Sequence, residues 1–175
     1  MSELFNGTWR LDAANSKVWD AKTENYAPDE VGEEIMTIAV KNGVEKYEVL
    51  YGDDPIITMG YTAKYDDHKW VPYEVRNITH KEEGSADESM AAFRQRINSH
   101  DGSGGERKFE VGKIYCYVRT IYVDPRTNYR VGKGTDDGQA QDVMLRRLAS
   151  DGQSFVATVL HPNGRIYRVR TFVRS

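Results

Sequence analysis

Residues 34–65 read EIMTIAVKNGVEKYEVLYGDDPIITMGYTAKY, and this stretch decides the fold class. Met36, Ile38 and Val40 alternate with polar neighbours, as in a strand buried on one face. Asn42-Gly43 follows, a pair in which both residues tolerate positive φ and which favours a tight hairpin. Tyr47, Val49 and Tyr51 then share one side of a second strand. Gly52-Asp53-Asp54-Pro55 makes a turn. A third strand places Ile57, Met59, Tyr61, Ala63 and Tyr65 on one side, with Thr58, Gly60, Thr62 and Lys64 opposite. Downstream, Asp66 to Lys69 reads as a turn and Trp70 to Val75 as a short strand, weakened by Pro72, which cannot donate to a ladder. Alternation returns at Lys113–Val123, Tyr129–Val131, Asp142–Ala149, Phe155–His161 and Arg165–Arg174. The exception is Ser85 to Ile97, where Met90, Phe93, Arg94 and Ile97 fall at helical spacing. Gly102, Gly104 and Gly105 after it read as a flexible loop, without a phosphate-binding pattern. About nine or ten regularly spaced antiparallel strands predict an all-β barrel or sandwich with a short helical insertion. The expected organisation is one domain over residues 1–175, with the insertion at about 80–112.

The chain has 175 residues, 24 Lys+Arg against 27 Asp+Glu, and a net charge of -3. That balance argues against a nucleic-acid partner, which needs clustered basic charge. No apolar run is long enough to cross a bilayer as a helix. The opening Met1 to Gly7 has neither a basic nor an apolar leader region, so no signal peptide, a cytoplasmic location and no membrane partner are expected. The lone Cys116 excludes an internal disulfide and a cysteine-built zinc site.

The opening Phe5-Asn6-Gly7-Thr8-Trp9-Arg10-Leu11 resembles the Gly-x-Trp start of the calycins, the lipocalins and fatty-acid-binding proteins. Gly7 to Lys17, and Tyr61-Thr62-Ala63-Lys64-Tyr65-Asp66, look similar to segments of bacterial lipocalin-like proteins, as does the final turn and strand ending in basic residues. The resemblance implies an up-and-down barrel. It also implies that Trp9 packs under one end against a basic residue of the last strand, Arg170 or Arg174. The segment from His80 to Lys113 departs from that pattern.

In such a barrel alternate residues face inward. The last hairpin, turning at Pro162 and Gly164, predicts the pairs His161–Arg165, Val159–Tyr167, Ala157–Val169 and Phe155–Thr171. All eight share the less charged, inward face. Arg119, Arg168 and Arg170 are then expected outside as cross-strand partners of acidic residues. The preceding hairpin has two registers. One places Arg146 inside opposite Ala157; the other turns Arg147 inward, because a one-residue slip exchanges the faces.

The resulting interior is rich in tyrosine, with a histidine and an arginine. Tyrosine offers an apolar ring and a hydroxyl that seeks a partner when buried, and a buried arginine favours an anion. The expected function is therefore binding of a small aromatic or amphipathic, anionic molecule, as a carrier or sensor. Its contacts are expected at Tyr47, Tyr51, Met59, Tyr61, Tyr65, Arg146, Phe155, Val159, His161 and Tyr167. The alternative is a cofactor-free lyase, isomerase or hydrolase in the same cavity, with His161 as general acid or base and Tyr167 polarising the substrate. No metal-ligand spacing occurs, so neither metal nor cofactor is expected. His68 falls in a turn, and His80 and His100 border the insertion. The pairs Asp53-Asp54, Asp66-Asp67 and Asp136-Asp137 read as turn chemistry. Cys116 reads as a small buried apolar residue. Homodimer formation is left open.

Overall fold

The computed structural model describes residues 3–29, 32–101, 109–134 and 138–175. After a 3₁₀ turn at Glu3–Phe5 come β1 (Gly7–Asp20), β2 (Asn25–Pro28), β3 (Glu34–Lys41), β4 (Val44–Tyr51), β5 (Ile56–Lys64) and β6 (Val71–Thr79). Then follow α1 (Ala86–Asp101), β7 (Ile114–Asp124), β8 (Thr127–Lys133), β9 (Ala140–Leu148), β10 (Ser154–Leu160) and β11 (Ile166–Arg174). From β3 to β11 each strand pairs antiparallel with the next, β1 pairs with β3, and β11 returns to β1. Ten strands thus close an up-and-down barrel, and β2 pairs only with β1. Asn42 and Gly43 take φ of 52° and 74°, the twist a two-residue hairpin needs. Pro72 lies exposed at the second position of β6. Gly104, Gly105 and Asp136-Asp137 lie outside the described residues, as do Gly102 and the side chain of His100.

One end of the barrel is plugged by aromatics. Trp9 is fully buried, edge-on to Phe155 at 4.9 Å, and Phe155 stacks on Phe172 at 5.0 Å. Phe5, delivered by the 3₁₀ turn, closes the group, and its carbonyl accepts from Trp9 Nε1 at 2.8 Å. Of the two expected partners of Trp9, Arg174 is the one in place, its guanidinium 4.2 Å from the ring centroid. The same guanidinium donates to the carbonyls of Asn6, Leu4 and Gly152, which ties both termini to the β9–β10 turn.

Among the register shifts of the ladder, two that the alternation did not reveal shape the interior. In β1 the register with β11 shifts between Asp12 and Lys17. Asp12 accepts from Asn15, and Ser16 Oγ bridges the Asp12 carbonyl and the Thr171 amide, so the extra residues keep their polar groups paired. In β11 the turn itself is as expected, with the His161 amide donating to the Arg165 carbonyl. A bulge then slips the register by one, so Val159 pairs with Arg168, Ala157 with Arg170 and Phe155 with Phe172. The expected pairs Val159–Tyr167, Ala157–Val169 and Phe155–Thr171 are therefore corrected, and Arg168 and Arg170 face inward rather than outward. The cause is packing and charge together. The slip stacks Phe172 on Phe155 and brings Arg170 to the buried carboxylates of Asp29 and Glu34. Tyr167, the extra residue, also stays buried.

The helix forms where the helical spacing places it. α1 is mostly polar and, among its described side chains, seats Phe93 fully buried on the barrel. Phe93 meets Tyr51 at 5.5 Å and Phe109 at 5.4 Å. Gly52 makes room: its φ is 95°, and a Cβ there would lie 2.9 Å from the Phe93 ring.

Arg174→Ala removes both the cation–π contact and the charged hydrogen bonds at the plug. The expected loss is about 2–3 kcal/mol in urea unfolding with an unchanged far-ultraviolet spectrum. A loss below about 0.5 kcal/mol contradicts this account of the plug.

Candidate functional site

Glu45 shares the inward face of β4 with Tyr47, Val49 and Tyr51, and its side chain is fully buried. A lone carboxylate there would be costly, and three groups answer it through four hydrogen bonds. Arg146 Nη2 donates to both its oxygens at 2.9 Å, and the hydroxyls of Tyr61 and Tyr65 each donate to one. Arg146 Nε in turn donates to Asn128 Oδ1 at 2.7 Å. Burial pushes the Glu45 carboxyl up, but the charge of Arg146 and the hydrogen bonds from Tyr61, Tyr65 and Arg146 outweigh it and hold it below the ordinary carboxylate range. β9 pairs Arg146 with Ala157, the first of the two registers, through a connection over residues 149–153. This layer is sealed: Glu45 and Asn128 have no exposure and Arg146 has 1%.

One inward step toward the other end, the character changes. Arg130 on β8 pairs with Met144 on β9 and Thr120 on β7. Its guanidinium lies 5.5 Å from the rings of both Tyr47 and Tyr73. Among the described residues no carboxylate lies at ion-pair distance from it. Burial opposes its charge, and Tyr61, Tyr47, Tyr73 and Asp142 more than compensate, so it stays protonated. Arg130, Met144, Asp142, Cys116 and Tyr115 are half-buried although their strands turn them inward. An inward residue keeps exposed surface only where solvent adjoins it, so solvent reaches the inward faces of β7, β8 and β9 at and above Arg130, whereas the layer below is closed.

Aromatic rings connect the two levels. Tyr47 stacks on Tyr61 at 4.9 Å, Tyr73 meets both edge-on, and Tyr115 meets Tyr73 at 6.0 Å. Phe109 stacks on Tyr115 and reaches Phe93 beneath α1. Burial, the largest cause, raises the Tyr47, Tyr61 and Tyr73 hydroxyls above their ordinary range, and Glu45 adds to this for Tyr61. The phenols therefore remain neutral donors.

A second charged group lies across the lumen. Arg170 donates to Asp29 at 2.7 Å and to Glu34, and Arg168 Nε stands 3.3 Å from Asp29. Both carboxylates are buried and answered. Beside them Tyr167 and Val159 pack with Val18 in a small separate cluster. His161 is half-buried, its ring edge-on to Tyr167 at 4.5 Å. Among the described residues no carboxylate is ion-paired with His161 and no side chain hydrogen-bonds its ring.

The sequence-predicted contacts thus separate into three places. Tyr47, Tyr51 and Met59 stand in the tyrosine-lined interior. Tyr61, Tyr65 and Arg146 belong to the sealed floor, and Phe155 to the plug beneath it. Val159, His161 and Tyr167 group at the rim. Arg146, expected to face a ligand's charge, is neutralised by Glu45. Arg130, Glu45, Asp29 and Glu34 were not predicted, although parity placed Glu45 with Tyr47 and Glu34 with Met36. Outside the wall, a solvent-open groove of about 470 Å³ runs between the β7–β8 and β9–β10 turns, past Arg126, Arg147, Ser150 and Ser154. Of the interior aromatics only the plug residue Phe155 borders it among the described residues, and the tyrosine-lined level above does not. Neither protein-family models nor curated proteins match this chain. The function therefore rests on the geometry.

Removing one member of the buried pair strands the other. Glu45→Gln and Arg146→Met are each expected to cost about 3–5 kcal/mol, and the double variant to regain at least half of the summed loss. Strict additivity by urea unfolding contradicts the coupling. Glu45 titrates below its unfolded value of 4.5, so its stabilisation is complete above that pH and is lost as acid passes the lower native value. The tyrosines titrate above 10.0, so theirs is complete below that pH and is lost as alkali passes their native values. Tyrosinate absorbance from Tyr61 and Tyr73 should appear only with alkaline unfolding.

Proposed function

We propose that this chain is a lipocalin-like carrier or sensor, organised as one calycin-type domain, that holds a small aromatic anion in the upper half of the barrel. The observation that carries this reading is Arg130. It is a charged guanidinium facing inward over Tyr47 and Tyr73, with no described carboxylate on it, beside inward residues that keep solvent access. Arg146 and Arg170 already neutralise buried acids; Arg130 retains its charge for an incoming one. A flat aromatic ring suits the faces and edges of these tyrosines better than a flexible hydrocarbon does, because aromatic pairs attract beyond simple burial. The carboxylate of such a ligand meets Arg130 through charge-assisted hydrogen bonds in a low-dielectric site. Tyr51, Met59 and Met144 complete the apolar wall.

The test is calorimetric titration with benzoate-type acids and their neutral amides. Saturable binding of the acids is expected, with Arg130→Gln weakening them at least tenfold, since a charged hydrogen bond contributes about 1.5–3 kcal/mol. The amides should be weakened less. Cys116 is the chain's single cysteine and lies inward opposite Tyr73, so its modification by a thiol reagent should slow severalfold when an acid is bound. Absence of saturable binding, with an unaltered thiol rate, would overturn the proposal.

A further inference from the structure

Three polar atoms have no hydrogen-bond partner among the described residues although they are sealed from solvent: Arg146 Nη1 and Asn128 Nδ2 in the barrel floor and Thr120 Oγ1 one step above it. Buried polar groups are nearly always paired, and each exception costs about 1–3 kcal/mol. Three exceptions on one patch of wall are therefore informative. They do cluster: Asn128 pairs directly with Arg146, and Thr120 is one inward step along β7 from Tyr122, which pairs with Asn128 on its other side. The orientation of the Asn128 amide is settled by its neighbour. Arg146 Nε can only donate, so Asn128 presents Oδ1 to it and its NH₂ is left over.

We infer that these residues form a second ligand subsite, which receives the phenolic hydroxyl of an aromatic acid whose carboxylate is held by Arg130. This rests on the binding reading above and specifies the ligand class. The chemistry selects a neutral oxygen. Glu45 is ionised and balanced one-to-one by Arg146, so a second anion at this depth would meet its negative charge in a dry environment. It also selects a hydroxyl over a carbonyl. Arg146 and Asn128 offer N–H donors only, whereas Thr120 Oγ1 can accept. A carbonyl oxygen would spend its two lone pairs on the two nitrogens, whereas a phenol accepts from them and also donates to the threonine, so each of the three atoms gains a partner. The length agrees as well. Asn128 and Arg130 are two residues apart on β8, about 7 Å along a strand, roughly the span of one para-disubstituted ring. The three residues are buried, so the ring enters by displacing Tyr47 and Tyr73 from their edge-on contact while Tyr61 stays hydrogen-bonded to Glu45.

The experiment compares 4-hydroxybenzoate with 4-methylbenzoate, which has nearly the same shape but no hydroxyl. The intact protein should bind the hydroxy acid at least tenfold more tightly. In Thr120→Val, a near-isosteric change, that preference should fall at least threefold. Retained thermal stability and circular dichroism identify a folded variant. The ligand pair alone decides the question in the unmodified protein if Thr120→Val does not fold. Equal binding of the two acids overturns this inference and leaves the aromatic-anion reading standing, the floor donors then holding water only. Failure of both acids to bind overturns both. A preference unchanged in Thr120→Val overturns the assignment of Thr120 and with it the argument for a phenol.

Discussion

The ion pair between Glu45 and Arg146 joins β4 to β9 across the interior, between residues 101 positions apart in sequence. Both groups are out of water, so neither is tolerable without the other. Their pairing constrains the register of both strands, because a one-residue slip would send either side chain to the outer face. Tyr61, Tyr65 and Asn128 are committed to the same knot, which makes the inward faces of β5 and β8 part of the constraint. The barrel is thus divided at this layer. Below it, aromatic packing around Trp9 fills the space; above it, the wall remains polar, ring-lined and reachable.

That division sets where chemistry can occur. Four inward arginines, Arg130, Arg146, Arg168 and Arg170, stand on adjoining or nearby strands, and local carboxylates decide their roles. Arg146 answers Glu45. Arg168 and Arg170 gather around Asp29 and Glu34, clamping the loop before β3 to the last strand. Arg130 rests on tyrosine faces, which stabilise a cation without cancelling its charge. The proposed anion site follows from that difference in partners. The chain of rings from Tyr61 through Tyr73 and Tyr115 to Phe109 and Phe93 links this level to the helix at the opposite end from the plug.

The site was half legible before the fold was known. Period two put Tyr47, Tyr51 and Met59 on one face, and the same parity put Glu45 there too. A charged residue is ordinarily assigned to solvent, so that signal was masked by its own chemistry. Arg170 was hidden differently. A bulge adds one residue without changing composition, and everything beyond it exchanges faces. Arg146 was one of two arginines that the register left open, and the acid that neutralises it comes from a strand far away in sequence.

The sequence by itself determined the all-β class, the hairpin at Asn42-Gly43 and the helical insertion, because each depends on neighbouring residues: alternation, turn chemistry and helical spacing; the place of Trp9 followed from the resemblance of Phe5–Leu11 to the calycin start. Only the tertiary structure decided which arginine keeps its charge, which tyrosines are locked to a carboxylate and where the lumen is sealed. Those outcomes depend on electrostatic partners and packing brought together by closure of β11 onto β1, and local sequence carries no record of them.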